Sequence, residues 1–204
     1  MTNFRFKFTK ISGAISITLA LVGTDASGKD TTQLLTQVSN ILAKPDALQV
    51  SFKQMKQVKG FKAPLTSTGH ILIARDRGIM WITESPYQNV LRITPDGISE
   101  IRGGQSTQIG NAQSMKSMSA IMSGMLAGNF SPLQRYFRFS GKASGSSWSL
   151  NLTPLNANVA RAISSIQMSG GRYVNRVTVH ESNGDVANIG LSGASPIAAS
   201  STGL

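Results

Sequence analysis

The sequence predicts a mainly β fold of the α+β class, with one largely antiparallel sheet of at least eight strands and helices at early, middle and late positions. Three observations predict it. Apolar and polar residues alternate over much of the chain, as they do in half-buried strands. Proline, glycine and aspartate separate these runs, as they do in tight turns. Other segments carry apolar residues three and four apart, which is the spacing of amphipathic helices. A strongly twisted sheet of this size tends to curl into a barrel or half-barrel.

The N-terminal segment has the layout of a cleavable export signal. Arg5, Lys7 and Lys10 precede an apolar, uncharged run over residues 11–22, and small residues lead up to Ala26. A membrane anchor is the alternative, but this run is too short to cross roughly 30 Å of hydrocarbon. We therefore predict a signal peptide over residues 1–26, cleavage after Ala26 and a periplasmic location.

Composition limits the possible functions. The chain has no cysteine, which excludes disulfides, thiolate metal sites and a lipid-modified N-terminal cysteine. It has 20 Lys and Arg against 9 Asp and Glu, a net charge of +11. Such a surface attracts polyanions. Because export argues against nucleic acid, we expect anionic lipid headgroups or an acidic protein as partners of a monomer. The alternative is that the charge only aids solubility.

The first structural element after the signal is a predicted short helix. It ends before Pro45, because a residue that precedes a proline is pushed out of the α conformation. Its apolar stripe consists of Leu34, Leu35, Val38, Ile41 and Leu42.

Strand patterns follow this helix. Leu48, Val50 and Phe52 alternate with polar residues, and a basic segment over residues 53–62 then runs into turn residues around Pro64. A predicted meander continues from Gly69 to Arg102. Its apolar runs are residues 71–73, 79–82, 90–93 and 98–102.

A second predicted helix is rich in methionine. It stops at Gly128, and its apolar face consists of Met115, Met118, Ile121, Met122, Met125 and Leu126. Methionine is flexible and suits apolar partners of variable shape, such as a fatty acyl chain. Two interpretations stay open: the stripe lines a ligand site under a loosely held lid, or it fills the core.

Late in the chain the strand pattern returns. The predicted strands are residues 136–139, 147–152, 166–168, 173–180 and 186–191, with one more helix over 156–163. Asn183-Gly184 is a strong two-residue hairpin signal. From Gly193 onward the residues are mostly small, so we predict one domain over residues 27–192 and a disordered tail over 193–204.

The motifs of catalysis are missing from the sequence. It contains no nucleophile elbow, P-loop, dinucleotide-binding fingerprint or zinc-protease motif. His70 and His180 stand alone at strand edges, and the acidic residues are scattered, several of them in turns. We therefore predict a protein that is not an enzyme and that has no metal or cofactor. Catalytic groups assembled in space from distant residues remain the alternative.

One stretch of the chain resembles the LolA family of periplasmic outer-membrane lipoprotein carriers. The resemblance is carried by Phe52 with Gln54, by the run from Ser67 to Arg75, and by Trp81 and Pro86. The later half is similar more loosely, in the run from Trp148 to Pro154 and in the hairpin around Gly184.

The resemblance implies an unclosed antiparallel β-barrel whose mouth is covered by helices. It implies a carrier that takes acylated lipoproteins from an inner-membrane export complex to an outer-membrane acceptor. It also gives Arg75 a role in ligand release, although Asp76 replaces the proline usual in the family and could pair with Arg75. A specialised relative with another cargo, such as a lipid or polyene intermediate, is the alternative. The predicted ligand-binding residues are Arg75, Trp81, Met115, Met118, Ile121, Met122 and Met125.

Overall fold

A computed structural model describes residues 26–109, 121, 123–124 and 127–204. The predicted signal peptide therefore lies almost entirely outside the described residues. Helices in the described part of the chain include Ala26–Ile41 (α1) and the single turn Ala157–Ala160 (α2), and short 3-10 turns cover Ser131–Arg135 and Ala199–Thr202. The strands are Ala47–Gln57 (β1), Leu65–Ala74 (β2), Gly78–Ser85 (β3), Asn89–Thr94 (β4), Gly97–Arg102 (β5), Gln105–Gln108 (β6), Phe137–Ser144 (β7), Ser147–Pro154 (β8), Ile163–Gly170 (β9), Val174–Glu181 (β10) and Val186–Pro196 (β11).

All the described strands belong to one sheet of 11 strands. Their order is β6-β5-β4-β3-β2-β1-β11-β10-β9-β8-β7, and every neighbouring pair is antiparallel. The chain builds one half of the sheet as a meander from β1 to β6 and the other half from β7 to β11. The last strand then pairs with the first. Because β6 and β7 stand at opposite edges and do not pair, the sheet is not closed, which confirms the predicted fold class.

Strand register defines two ends of this sheet. At one end β2 runs into Arg75 and the turn to β3, and Ala47 pairs with Ala74. We call it the Arg75 end. At the other end Gln57 pairs with Val186, and the β1–β2 loop contains Phe61. We call it the Phe61 end.

The concave face of the sheet carries the hydrophobic core. Alternate residues of β1 point to this face, so Leu48, Val50 and Phe52 are buried while the residues between them are exposed. Helix α1 packs against β7. Beside it the Phe130 ring lies 6.2 Å from that of Phe139 and 5.9 Å from that of Trp148, measured between centroids. The sheet beside β7 and β8 is therefore packed with aromatic side chains.

The prediction of a disordered C-terminal tail is wrong. Strand β11 continues to Pro196, which pairs with Leu48 of β1. Beyond it Thr202 is only 1% exposed, and the Arg77 guanidinium donates to the carbonyl oxygen of Leu204 at 3.1 Å. Backbone pairing and this arginine order a segment that has few apolar side chains.

Two further elements, a helix and a strand, differ from the sequence prediction. The helix predicted over residues 156–163 is only the turn α2, because Ile163 already starts β9 and is buried there. The Asn156 side chain accepts a hydrogen bond from the Asn158 amide at 2.7 Å and caps that turn. Strand β6 was not predicted, because its four residues are polar and exposed.

Candidate ligand-binding cavity

A cavity of about 840 Å³ lies between the concave face of the sheet and the segments that cover it. Small-molecule sites are typically about 300–1,000 Å³. Its apolar wall comes from four strands through Leu48, Val50, Ile73, Ile79 and Leu191. Its cover includes Leu42, which follows α1, and residues 123–124 and 127–129. The concave face therefore has a packed half beside β7 and β8 and a hollow half beside β1, β2, β3 and β11.

Small residues in the cover keep it close to the protein beneath. A Cβ atom added at Gly124 would lie 2.8 Å from the Asn129 carbonyl oxygen and 3.0 Å from a Leu133 methyl carbon. Gly128 has a φ of +67°, a left-handed conformation that favours glycine. A Cβ atom there would lie 2.8 Å from a Leu42 methyl carbon. The absence of a side chain at Gly124 and Gly128 therefore lets these two residues approach Leu133 and Leu42 closely.

The cavity has a polar rim at the Arg75 end. Lys44, Arg75, Asp76 and Pro95 line it and are exposed. The Arg75 guanidinium donates to the carbonyl oxygens of Lys44 and, at 3.1 Å, of Pro45. This arginine therefore ties the end of β2 to the loop between α1 and β1, directly at the opening.

The acidic partner of Arg75 is not the one that the sequence suggested. Arg75 Nε lies 3.7 Å from Asp46 Oδ1, and the Arg75 amide donates to the Asp46 carbonyl oxygen at 2.9 Å. Asp76 has a φ of +59° and forms the turn that follows. The expected Arg75–Asp76 pair is thus replaced by an Arg75–Asp46 pair, because the turn carries the chain away from the arginine at Asp76.

The predicted site residues do not all meet at this cavity. Arg75 lines it, whereas the described lining residues include neither Trp81 nor Ile121. The Trp81 ring packs against the Phe52 ring with centroids 4.9 Å apart, and Ile121 is 1% exposed within the core. The other four predictions, Met115, Met118, Met122 and Met125, lie outside the described residues.

Other lining residues were not predicted from the sequence. Tyr136 lies beneath the Arg135 guanidinium, whose carbon is 4.9 Å from the ring centroid, and both residues line the cavity. Tyr173 and Val174, at the start of β10, line it too. The sequence marks these residues only as members of strands or turns. The folded structure is needed to place them at the cavity.

The cavity offers binding chemistry. Its walls are apolar, and Lys44, Arg75 and Arg135 bring positive charge to its lining, whereas Asp76 is the one carboxylate among the described lining residues. Among the described residues there is no cluster of three His, Asp or Glu side chains that could hold a metal ion. The arrangement suits a ligand with a hydrocarbon part inside and a polar or anionic group at the rim.

The open antiparallel sheet with its covered concave face is a fold that is also seen in solved structures. A LolA superfamily protein from Nitrosomonas europaea matches with a TM-score of 0.51 and 11% identity, over 82% of this chain and 94% of that chain. The lipoprotein LppX from Mycobacterium tuberculosis matches with a TM-score of 0.44 and 12% identity, over 82% of this chain and 98% of its own. The first of these shows the shared fold.

A sequence family identifies the chain more directly. The family described as outer membrane lipoprotein carrier protein LolA-like matches residues 26–203, and the chain belongs to this family. No curated protein is significantly similar to it in sequence. In the described part of the chain no helix is long and apolar enough to cross a membrane.

Proposed function

We propose that this protein is a periplasmic carrier that binds the acyl chains of lipoproteins and shuttles them from the inner to the outer membrane. The observation that supports this most is the cavity, because it places apolar walls behind a polar rim. Membership of the LolA-like family supports the same function. An inner-membrane export complex and an outer-membrane acceptor would be its partners.

The energetics of such a cargo need no specialised chemistry. Each methylene group removed from water contributes roughly 0.8 kcal/mol, so an acyl chain supplies most of its own affinity. A carrier must also release its cargo, which favours a cover that can move. We propose that Arg75 contacts the polar end of the ligand at the rim, and that the four methionines of residues 115–125 contact its hydrocarbon part.

Lipid extraction tests this function directly. The exported protein is purified without detergent and extracted with organic solvent, and the extract is analysed by mass spectrometry. We expect a stoichiometric acyl-containing species. Capture of a triacylated lipoprotein would establish the proposed cargo, and a free lipid or polyene would instead indicate a carrier of another hydrophobic molecule.

A cavity-filling variant links that cargo to the cavity. Ala194 lines the cavity and is half-buried, whereas Ala198 lies four residues further along the same segment and is exposed. We expect Ala194→Trp to lose most of the bound cargo, because the indole occupies the space of several methylenes, and Ala198→Trp to keep it. Equal cargo in both folded variants would place the ligand elsewhere.

A further inference from the structure

Four large apolar side chains are exposed towards the Phe61 end of the sheet: Met55 near the end of β1 and, at or beside the connections, Phe61, Leu65 and Tyr87. Phe61 is 63% exposed, Leu65 58% and Tyr87 83%. Phe61 belongs to the β1–β2 loop, Leu65 is the first residue of β2 directly after that loop, and Tyr87 belongs to the β3–β4 loop. Because Thr68 of β2 pairs with Ser85 of β3, both connections leave the sheet side by side. Single exposed apolar residues are ordinary on a protein surface, but Phe61, Leu65 and Tyr87 lie at one end of the sheet, on or beside adjacent connections, and we treat them as one patch.

Hydrogen bonds hold Phe61 in this position. Its amide donates to the Val58 carbonyl oxygen at 3.0 Å, and the Gln57 side-chain amide donates to the Phe61 carbonyl oxygen at 2.7 Å. The Lys59 amide donates to Asp185 Oδ1 at 2.9 Å, which ties the loop to the β10–β11 hairpin. The backbone therefore presents the Phe61 ring outward from a fixed turn.

Positive charge accompanies the patch. Lys59 and Lys62 are exposed on the same loop, and within the described residues neither has a salt bridge. The acidic side chains at this end are already engaged. Lys56 Nζ lies 2.6 Å from Glu181 Oε1 and 3.4 Å from Asp185 Oδ2. Glu84 Oε1 lies 2.9 Å from His70 Nδ1.

We propose that these two connections dock the protein on an anionic lipid surface. The side chains of Phe61, Leu65 and Tyr87 enter the interfacial region, and Lys59 and Lys62 contact lipid phosphates. Aromatic rings favour that region, and each nearby lysine adds electrostatic attraction to anionic headgroups. An acidic protein would satisfy the lysines, but it gives no reason for the exposed apolar side chains of Phe61, Leu65 and Tyr87 at the same end of the sheet.

The patch and the rim of the cavity lie at opposite ends of the sheet. Strand β2 separates Leu65 from Arg75 and spans roughly 30 Å. Docking therefore leaves the Arg75 rim facing away from the bilayer, free to meet a donor or acceptor. The biological sense of this surface rests on the proposed carrier function, whereas its test measures membrane binding alone.

Vesicle flotation tests the proposal. The exported protein, with its N-terminus established by mass spectrometry, is mixed with phosphatidylcholine vesicles that contain or lack phosphatidylglycerol. We expect binding to the anionic vesicles, weakened at least about tenfold in the double variant Phe61→Ser/Tyr87→Ser. Lys59→Gln/Lys62→Gln is expected to remove the preference for phosphatidylglycerol. The matched controls are Ile109→Ser and Lys142→Gln, which change an exposed apolar residue and an exposed lysine elsewhere.

A site-specific probe locates the contact. Because the chain has no cysteine, Ala63→Cys and Ser195→Cys each give a single labelling position, at the Phe61 end and at the opposite end respectively. We expect an environment-sensitive fluorophore to brighten on anionic vesicles only at position 63. No vesicle binding by the unaltered protein, equal loss in the Ile109 control or brightening only at position 195 would overturn the proposal. Retention of extracted cargo by the Phe61/Tyr87 variant separates a docking defect from a failure of the carrier function.

Discussion

Gly69 occupies a position where a side chain has no space. A Cβ atom there would collide with the Ile82 carbonyl oxygen and would lie 3.0 Å from a ring carbon of Phe52. The Phe52 ring in turn packs against Trp81. Three residues of the family-like stretch thus form one contact across β1, β2 and β3. Trp81 therefore has a packing role in this structure.

Substitution of Gly69 should destabilise the fold more than substitution of another strand glycine. We expect Gly69→Ala to lower the free energy of unfolding by about 1–3 kcal/mol, because the added methyl group forces strands apart. Gly190→Ala in β11 is the control, since a Cβ atom there has no neighbour nearer than 3.9 Å. Urea unfolding of both variants measures the difference. Equal urea midpoints for Gly69→Ala and Gly190→Ala would contradict this prediction, because they would mean that β2 and β3 accommodate the added methyl group without loss of stability.

The β1–β2 loop depends on an ionic cluster that joins it to the β10–β11 hairpin. Asp185 is buried, and the hydrogen bond from the Lys59 amide holds the pKa of its carboxyl below the ordinary value of 3.8. The hydrogen bond to Glu181 raises the pKa of Lys56 above 10.5. This cluster therefore keeps the loop in place over the neutral range of pH.

The contribution of Asp185 to stability should disappear in acid. A carboxyl with a lowered pKa in the folded state stabilises that state above pH 3.8, and the effect is lost as the pH falls through the lower folded value. We expect Asp185→Asn to be less stable than the unaltered protein near neutral pH and to approach it in acid, at a pH below the lowered folded pKa. Urea midpoints at both pH values measure this.

The control for that variant is an aspartate in another turn. Asp96 is exposed, and the described residues give it no salt bridge. Asp96→Asn should leave the urea midpoints nearly unchanged at both pH values. A gap between Asp185→Asn and the unaltered protein that persists in acid would assign its effect to packing.

At the scale of the whole molecule, sequence periodicity predicted the sheet well, because alternation on β1 or β8 depends only on which residues face the core. It could not place the hollow. Ile79 and Leu133 look equally apolar in the sequence and both are fully buried, yet Ile79 also lines the cavity, whereas Leu133 is not among its described lining residues. The pairing of β1 with β11 joins residues far apart in the chain, and no local pattern specifies it.

This division into a packed and a hollow half predicts unequal costs for the same deletion. Leu133 is 0% exposed, near the aromatic cluster of Phe130, so Leu133→Ala should cost about 2–5 kcal/mol of unfolding free energy. Leu48 borders the cavity, so its side chain lacks contact partners on that side. In delipidated protein we expect Leu48→Ala to cost about half as much, with the difference in unfolding free energy measured by urea unfolding.

Adding lipid back tests the same division, because ligand binding stabilises only the folded state. Lipid should raise the stability of the Leu133→Ala variant as much as that of the unaltered protein. It should raise the stability of the Leu48→Ala variant less. Equal costs without lipid and equal gains with it would show that the wall of the cavity is packed like the rest of the core.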